Sequence, residues 1–216
     1  SNIIIPKTVT AIGEYSFNKC SSLINIDIPY NVKIIPEYAF AECKSLTNVL
    51  IPTTVKVLGK SAFQGCRQMK EFSLESIQIL SESCFRGCES IEKVIIHSKI
   101  PDDIFNGCSS LKKVDISYNA KKIGDRAFFG CTSLKEIFIP DSITDIGADA
   151  FYACSSLERV YFSSNLKTIG ACAFCKCRSL RQISIPNSVT NVDEYAFNKC
   201  LSLQDLTISS DTVLKQ

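Results

Sequence analysis

The sequence predicts a repeat solenoid rather than a set of globular domains. A phenylalanine followed three residues later by a cysteine occurs nine times, at successive steps of 23, 23, 22, 20, 23, 23, 23 and 23 residues. The decapeptide EYSFNKCSSL at Glu14–Leu23 returns almost unchanged as EYAFNKCLSL at Glu194–Leu203. A fixed period in this range is typical of stacked units, each too small to bury its own apolar face. We therefore expect a single elongated domain over residues 1–216. Because the chain opens in the middle of a repeat, we also expect it to be a fragment of a longer protein.

Each unit begins with a segment typical of a half-buried strand. The cysteine is followed by two mostly polar residues, an apolar residue and then an apolar-x-apolar pair, which is an alternation of period two. In one unit, Leu157, Val160 and Phe162 are predicted to point inward and Tyr161 outward. Stacked in register, such segments form a parallel sheet along one face. In five units a proline follows and ends the strand, because it has no N–H to donate.

The rest of the unit is predicted to return across the core and to close with a helical turn. A second apolar pair, such as Ile143 and Ile146, follows the proline. Glycine comes next in five units, where we expect a tight turn that requires positive φ. These glycines are Gly13, Gly59, Gly124, Gly147 and Gly170. In the closing A-F-x-x-C segment, phenylalanine and cysteine lie three residues apart, and a helical turn directs both into the core.

Nine of the twelve cysteines occupy one repeat position, which favours a column of buried free thiols. An odd number of cysteines cannot pair completely within the column. Of the three extra cysteines, Cys84 replaces a small core alanine. Cys172 and Cys175 take positions that polar or large residues hold in other repeats, so we expect a solvent-exposed thiol pair that can oxidise.

The same pair raises the alternative of a zinc site, because with Cys177 it forms C-x-x-C-x-C. Structural zinc usually needs about four ligands from two such pairs. The neighbouring repeats place Tyr152 and Asn198 at the Cys175 position, and neither is a good zinc ligand. We therefore predict neither a bound metal nor a cofactor.

Charge and motif content exclude several functional classes. The net charge of +2 and the pI near 7.9 are too mild to favour nucleic acid as a partner. No apolar run approaches the roughly 18 residues of a membrane span, so direct membrane insertion is not expected. The single histidine, His97, has no nucleophile motif nearby and is predicted to be a surface loop residue. All nine glycines hold repeat positions, which leaves none for a phosphate-binding loop, and we predict no enzymatic activity.

Solenoids usually bind macromolecules through an extended concave surface, which makes the outward strand positions the best binding candidates. Two of these positions, Phe138 and Tyr161, are predicted to be neighbours about 5 Å apart along the stack. With Arg159 they form our candidate for a protein-binding patch, since exposed aromatic residues beside charges are typical of interface hot spots. The alternative is that these are ordinary strand-surface residues in cross-strand contact. The candidate surface also includes Lys135, Arg181, Ile95 and Leu50.

The period shortens in the middle of the chain, over residues 74–105. The segment ESIQILSESCF lacks one residue, and HSKIPDDIF (His97–Phe105) lacks three. Length changes in solenoids fall in loops, where they either mark a binding site or are harmless deletions that bend the arc. We favour the harmless deletion and expect a kink or a mobile loop here.

Two stretches, CTSLKEIFIPDSITDIGADAFYAC and CRSLRQISIPNSVTNVDEYAFNKC, resemble the BspA-like, or treponemal-type, leucine-rich repeat. The resemblance covers nearly the whole chain in about nine units. It implies a right-handed arc with a parallel β-sheet on the concave face and short strands, turns and helical turns on the convex side. It supplies no catalytic residues, because the family shares none.

The family occurs in bacteria and in parasitic protists, and many members are adhesins on the cell surface or secreted. The resemblance thus implies attachment to protein or glycoprotein partners, such as host or matrix proteins. The alternative is a cytoplasmic interaction scaffold, which the absence of any N-x-S/T sequon and the unpaired thiols would suit. A purely structural spacer is a third possibility. Uncapped sheet ends would also permit end-to-end or edge self-association.

Overall fold

The computed structural model describes residues 2–70, 72–208 and 212–214, and it confirms the predicted solenoid. The chain winds into about nine turns whose strands all pair in parallel with the equivalent strands of neighbouring turns. No helix within the described ranges is long and apolar enough to cross a bilayer.

Seventeen short strands occur in the described residues. In chain order they are β1 (Asn2–Ile4), β2 (Asn25–Asp27), β3 (Ile34–Ile35), β4 (Asn48–Leu50), β5 (Val57–Leu58), β6 (Ile79–Leu80), β7 (Lys93–Ile96), β8 (Lys113–Ile116), β9 (Lys122–Ile123), β10 (Glu136–Phe138), β11 (Asp145–Ile146), β12 (Arg159–Tyr161), β13 (Thr168–Ile169), β14 (Gln182–Ser184), β15 (Asn191–Val192), β16 (Asp205–Thr207) and β17 (Val213–Leu214).

These strands stack in two rows, called here the front and back ladders, which are divided into four and two hydrogen-bonded parallel sheets respectively. The front ladder contains β1, β2, β4, β7, β8, β10, β12, β14 and β16, and corresponds to the predicted sheet. The back ladder contains β3, β5, β6, β9, β11, β13, β15 and β17, in the segments that return across the core. Pairing is in register, so each residue lies beside its repeat equivalent, as Ile26 lies beside Val49.

The predicted alternation of buried and exposed residues is present in the front ladder. Leu157 is fully buried, Val160 and Phe162 are partly buried, and Tyr161 is exposed. The strands stop before the prolines, as β10 ends two residues before Pro140. The period-two pattern therefore places one set of side chains in the core and leaves the other free on the front face.

The core is a continuous column of phenylalanine rings. Nine rings, one in each turn from Phe17 to Phe197, stack with centroids 5.1–5.8 Å apart. The column is unbroken through the shortened repeats, where Phe85 lies 5.5 Å from Phe105. Burial of these stacked aromatic rings, together with the leucine, isoleucine and valine side chains around them, stabilises each unit.

The predicted column of free thiols runs beside the phenylalanine column. Seven of its nine cysteines are fully buried, and Cys20 and Cys200 at the ends are partly buried. Eight of the thiols donate a hydrogen bond to the phenylalanine carbonyl of the preceding turn, with Sγ–O distances of 3.0–3.3 Å. Burial raises the pKa of the Cys154 thiol to about 12, so it stays protonated and unreactive at neutral pH.

The extra cysteines differ in their exposure. Cys84 is buried in the core as predicted. The prediction of an exposed pair is wrong for Cys175, which is buried, whereas Cys172 is partly exposed. The Cys175 side chain is covered because its turn packs against the equivalent turns on both sides.

The predicted helical turns on the convex side are wrong. The A-F-x-x-C segment forms consecutive β-turns, in which the Phe129 N–H donates to the Arg126 carbonyl and the Cys131 N–H donates to the Phe128 carbonyl. The intervening Phe128 N–H donates to Ala150 in the next turn at 2.8 Å instead of to its own segment. Arg126 has a φ of 55°, which breaks a right-handed helix. Bonds between turns therefore replace the bonds within a helix.

The expectation of positive φ at the five glycines after the apolar pair is also wrong. The glycines with positive φ are Gly65, Gly87, Gly107 and Gly130, which lie just before the repeat cysteine. At Gly59 the reason for glycine is close backbone approach, since a Cβ atom there would lie 2.6 Å from the Glu37 nitrogen. The two glycine positions therefore serve different steric needs.

This difference gives a stability prediction. We expect Gly59→Ala to lower the free energy of unfolding by about 3 kcal/mol, because the methyl group would meet backbone that cannot move aside. Gly87→Asn should cost less than about 1 kcal/mol, because a Cβ atom there would lie 3.8 Å from the Gly65 backbone, an ordinary contact distance, and asparagine tolerates the left-handed region. Urea unfolding of both variants measures the two losses of stability. Losses of equal size would contradict the prediction that Gly59→Ala is the more damaging change.

The shortened repeat is held to the next turn by two carboxylates. Asp102 accepts a hydrogen bond from the Asp125 N–H at 2.7 Å. Asp103 is paired with the Arg126 guanidinium at 2.9 Å and accepts a further bond from Asn106 at 2.6 Å. The missing residues are therefore removed from a loop, while the core column continues past them.

We expect the Asp103–Arg126 pair to make stability depend on acid pH. Burial by itself would raise the pKa of Asp103, but the bonds from Arg126 and Asn106 outweigh burial and hold that pKa below its usual value. A lowered pKa in the folded state gives stability that is present above the unfolded value near 4 and is lost as pH falls through the folded value. Asp103→Asn should remove up to about 1 kcal/mol at pH 7 and less at pH 3, measured by urea unfolding. A loss of equal size at both pH values would contradict this.

Candidate functional site

The structure places the predicted binding residues on the front ladder or immediately before its strands. The outward side chains of Leu50, Ile95, Phe138 and Tyr161 are 70%, 39%, 57% and 42% exposed. The other three candidates are exposed cations. Arg159 begins β12, Lys135 directly precedes β10, and Arg181 directly precedes β14.

Phe138 and Tyr161 form a stacked pair on this surface. They are register partners on β10 and β12, and their ring centroids lie 4.3 Å apart with the planes 6° from parallel. The predicted proximity is thus confirmed. The rings stack along the solenoid axis, so each covers one face of the other and presents its edge to solvent.

An ion pair lies beside the rings on the same two strands. The Arg159 guanidinium donates to the Glu136 carboxylate at 2.9 Å, and the two residues are register partners. Both side chains are largely exposed, so this pair contributes little to folding stability. It holds Arg159 next to Tyr161. We call Phe138, Tyr161 and Arg159 the aromatic patch.

The aromatic patch lies between two interruptions of the front ladder. Within the described residues, β10 and β12 pair with each other but not with β8 or β14. Two open depressions, called clefts below, border the patch. The first is lined by Asp115, Ile116, Tyr118 and Phe138. The second is lined by Arg159, Tyr161, Gln182, Ser184, Asp205 and Thr207.

Sequence reasoning missed these clefts. The sequence did indicate one of them, because the outward side chain becomes smaller along the stack. Phe138 and Tyr161 are followed by Ser184 and Thr207 at the same position of the next two repeats. The small side chains leave space beside the uncovered face of Tyr161. The patch is therefore an exposed aromatic pair bordered by two depressions.

The remaining candidates are not all brought together. Lys135 lines a shallow depression with Arg159 and Glu136, so it borders the aromatic patch. Ile95 lies on β7, two strand spacings or about 10 Å from Phe138 along the ladder. Leu50 lies on β4, beyond the repeat in which residues 72–74 form no strand. Arg181 is exposed but is not among the residues that line the clefts.

Other exposed apolar groups lie away from the front face and were not predicted. The back ladder exposes Ile34 and Ile79 at 51% and 57%. On the turns, Phe129 stacks on Tyr152 with centroids 4.8 Å apart, and the Lys176 ammonium lies 4.7 Å from the Tyr152 ring centre. These groups provide controls for any test of the front face.

Few residues have the chemistry of a reactive site. His97 lies in the loop after β7, partly buried, and its carbonyl accepts a hydrogen bond from the Asn119 amide at 3.0 Å. Across the ranges that the structure describes, no group of three or more His, Cys, Asp or Glu side chains is arranged to hold a metal ion.

Comparison with solved structures agrees with the repeat architecture. A leucine-rich repeat protein from Bacteroides ovatus is 25% identical, with a TM-score of 0.50, and the match covers 100% of this chain and 74% of that protein. A leucine-rich cell surface protein from Faecalibacterium prausnitzii is 21% identical, with a TM-score of 0.58 and coverage of 97% and 88%. The pneumococcal vaccine antigen PcpA is 18% identical, with a TM-score of 0.58 and coverage of 99% and 67%.

No curated protein matches the chain. The profile of the BspA type leucine-rich repeat region matches it in six copies, over residues 1–108 and 98–215. Leucine-rich repeats are generally non-catalytic scaffolds that bind proteins or other ligands, and no catalytic family is indicated. The stacked phenylalanine and cysteine columns are the structural form of the repeat that this profile describes. The chain therefore belongs to the BspA-type leucine-rich repeat family.

Proposed function

We propose that this chain is a non-catalytic protein-binding module that acts as the recognition part of a cell-surface or secreted adhesin. Its partners in this proposal are host or matrix proteins or glycoproteins. The aromatic patch is the centre of the contact surface, and Lys135 at its border supplies a further charge. Ile95, Leu50 and Arg181 lie farther out, where a partner of ordinary interface size would reach some of them.

One observation carries the proposal, which is the exposure of Phe138 and Tyr161 as a pair. About half of each side chain is exposed and available for burial, at 57% for Phe138 and 42% for Tyr161, and aromatic residues dominate the energetics of interfaces. A stacked pair is already ordered, so the two side chains lose little conformational entropy when a partner covers them. The Arg159–Glu136 pair provides polar groups at the edge of the apolar area, as interface rims usually do.

The clefts on either side of the pair support the same proposal. A flat face would limit a partner to contact with the ring edges, whereas a depression admits a side chain beside an exposed ring face. Tyr161 borders both clefts, so it is the residue most enclosed by an incoming surface. Aromatic residues that a partner encloses in a well-packed, desolvated contact are typical of hot spots.

The surface location is the part of the proposal that rests on the family. The Faecalibacterium structure is that of a cell surface protein, and PcpA is a vaccine antigen. The alternative is a cytoplasmic interaction scaffold. The absence of an N-x-S/T sequon and the free thiol column would suit that alternative.

Antibody staining of intact and permeabilised source cells separates these two locations. We expect signal on intact cells, lost after mild protease treatment of the cell exterior. Signal that requires permeabilisation would exclude the adhesin and would favour the scaffold. An antibody against a known cytosolic protein serves as the control for cell integrity.

A further inference from the structure

Two of the extra cysteines lie in a single β-turn. The Cys175 N–H donates to the Cys172 carbonyl at 2.9 Å, which closes the turn. The Cys175 side chain is also close enough to the Cys172 thiol to help raise the pKa of that thiol. The eight other repeats place no such pair at these two positions.

The turn geometry suits a disulfide bond. The first and fourth residues of a β-turn have Cα atoms less than about 7 Å apart. Disulfide-bonded cysteines usually have Cα atoms about 4.4–6.8 Å apart. The turn is also fixed by its neighbours, because the Cys172 N–H donates to Glu194 and the Cys175 carbonyl accepts from Ala153. The backbone therefore already holds the two cysteines close to the Cα separation of a disulfide.

Exposure gives the two thiols different roles. Cys172 is partly exposed and can meet a reagent from solvent, whereas Cys175 is 5% exposed and lies beneath it. Thiols of the cysteine column are less suited to exchange, since they are mostly buried and donate to phenylalanine carbonyls, as Cys177 does to Phe151 at 3.2 Å. The Cys172–Cys175 pair is thus distinct from the column in both access and partner.

We propose that Cys172 and Cys175 are a modification site, at which a small disulfide such as oxidised glutathione converts the thiol pair to a reversible disulfide bond. The Cys172 thiolate attacks one sulfur of oxidised glutathione and releases one glutathione thiolate. The Cys175 thiolate then attacks the Cys172 sulfur and releases the second glutathione. The protein loses two electrons and two protons, and oxidised glutathione gains both electrons and becomes two molecules of glutathione.

The local environment makes the reaction slow at neutral pH. Burial raises the pKa of the Cys172 thiol, and the nearby Cys175, Asp149 and Glu194 raise it further. The disulfide encloses two intervening residues, so it constrains the unfolded chain little. Because the turn lies outside the front ladder, oxidation leaves the aromatic patch unchanged. The site is therefore independent of the proposed binding function.

Mass spectrometry tests the site directly. Trypsin releases both cysteines in one peptide, Thr168–Lys176, which contains no other cysteine. The folded chain is incubated with oxidised glutathione at mildly alkaline pH, quenched with acid, alkylated in denaturant and digested. We expect this peptide to lose two hydrogen atoms and to escape alkylation, and dithiothreitol treatment before alkylation should restore both thiols.

Matched variants separate this pair from the column. Cys200→Ser, which removes a partly buried column thiol that donates to Phe174, should leave the oxidised peptide unchanged. Cys172→Ser should abolish it. The proposal is wrong if the wild-type peptide is recovered with both thiols alkylated, or if glutathione stays attached to Cys172 because Cys175 does not displace it.

Discussion

Replacing Phe128 with alanine is expected to lower the free energy of unfolding by about 3–5 kcal/mol. The ring is fully buried near the middle of the solenoid and stacks on Phe105 at 5.8 Å and on Phe151 at 5.3 Å. Alanine would remove both ring contacts and leave a cavity between turns that the backbone hydrogen bonds keep from collapsing. The loss is large because each turn is stabilised mainly by its two neighbours.

Urea unfolding followed by circular dichroism measures this loss. Tyr118→Ala is the control, because Tyr118 is 76% exposed and its removal should change stability by no more than about 0.5 kcal/mol. A reduced denaturant slope in the Phe128 variant would show that the two halves of the solenoid unfold separately. Equal stabilities of wild type and Phe128→Ala would contradict the stacked core.

The double variant Phe138→Ala, Tyr161→Ala is expected to weaken partner binding by at least about 100-fold. The two rings are the largest exposed apolar group on β10 and β12, and each is a candidate hot spot worth about 2 kcal/mol or more. The variant keeps the buried residues of both strands, so the fold should be retained. The affinity is measured by surface plasmon resonance, with an immobilised host or matrix protein that the wild-type chain binds.

The back ladder supplies the matched control for this experiment. Ile34→Ala, Ile79→Ala removes two side chains of similar exposure, 51% and 57%, from the other ladder. We expect this control to bind like wild type. Unchanged affinity in the Phe138, Tyr161 variant would exclude the aromatic patch, and equal losses in both variants would point to a general effect on folding.

Sequence reasoning could predict the repeat, the front strands and the buried columns because each follows from a local rule that recurs. Alternation assigns the neighbours Val160 and Tyr161 to opposite faces whatever the rest of the chain does. Recurrence of phenylalanine and cysteine at one position shows that both stack on themselves from turn to turn. The same reasoning places Phe138 beside Tyr161, because register follows once the period is known.

The turns could not be predicted in the same way. Phenylalanine and cysteine three residues apart face the core on a helical turn and equally on consecutive β-turns. The choice depends on bonds between turns, such as the Phe128 N–H to the Ala150 carbonyl, and these join residues far apart in sequence. The burial of Cys175 and the close approach at Gly59 depend on neighbouring turns for the same reason.

The clefts also depended on information that lies outside any single repeat. Ser184 and Thr207 are unremarkable strand residues by themselves, and their effect comes from standing next to Tyr161 in the stack. The interruptions of the front ladder beside β10 and β12 have no residue signature that we can identify in the sequence. The aromatic residues at the centre of the candidate site were therefore predictable, but the shape of the surface around them was not.

Hydroxyl-radical footprinting of the chain, free and with a bound host or matrix protein, tests the central claim most directly. Aromatic side chains react readily when exposed, so Phe138 and Tyr161 report on their own burial. We expect both to react in the free chain and to be protected in the complex, while the exposed turn residues Tyr15 and Tyr195 react equally in both states. Protection of the turn or back-ladder residues, with Phe138 and Tyr161 still reactive in the complex, would contradict a binding site on the front ladder.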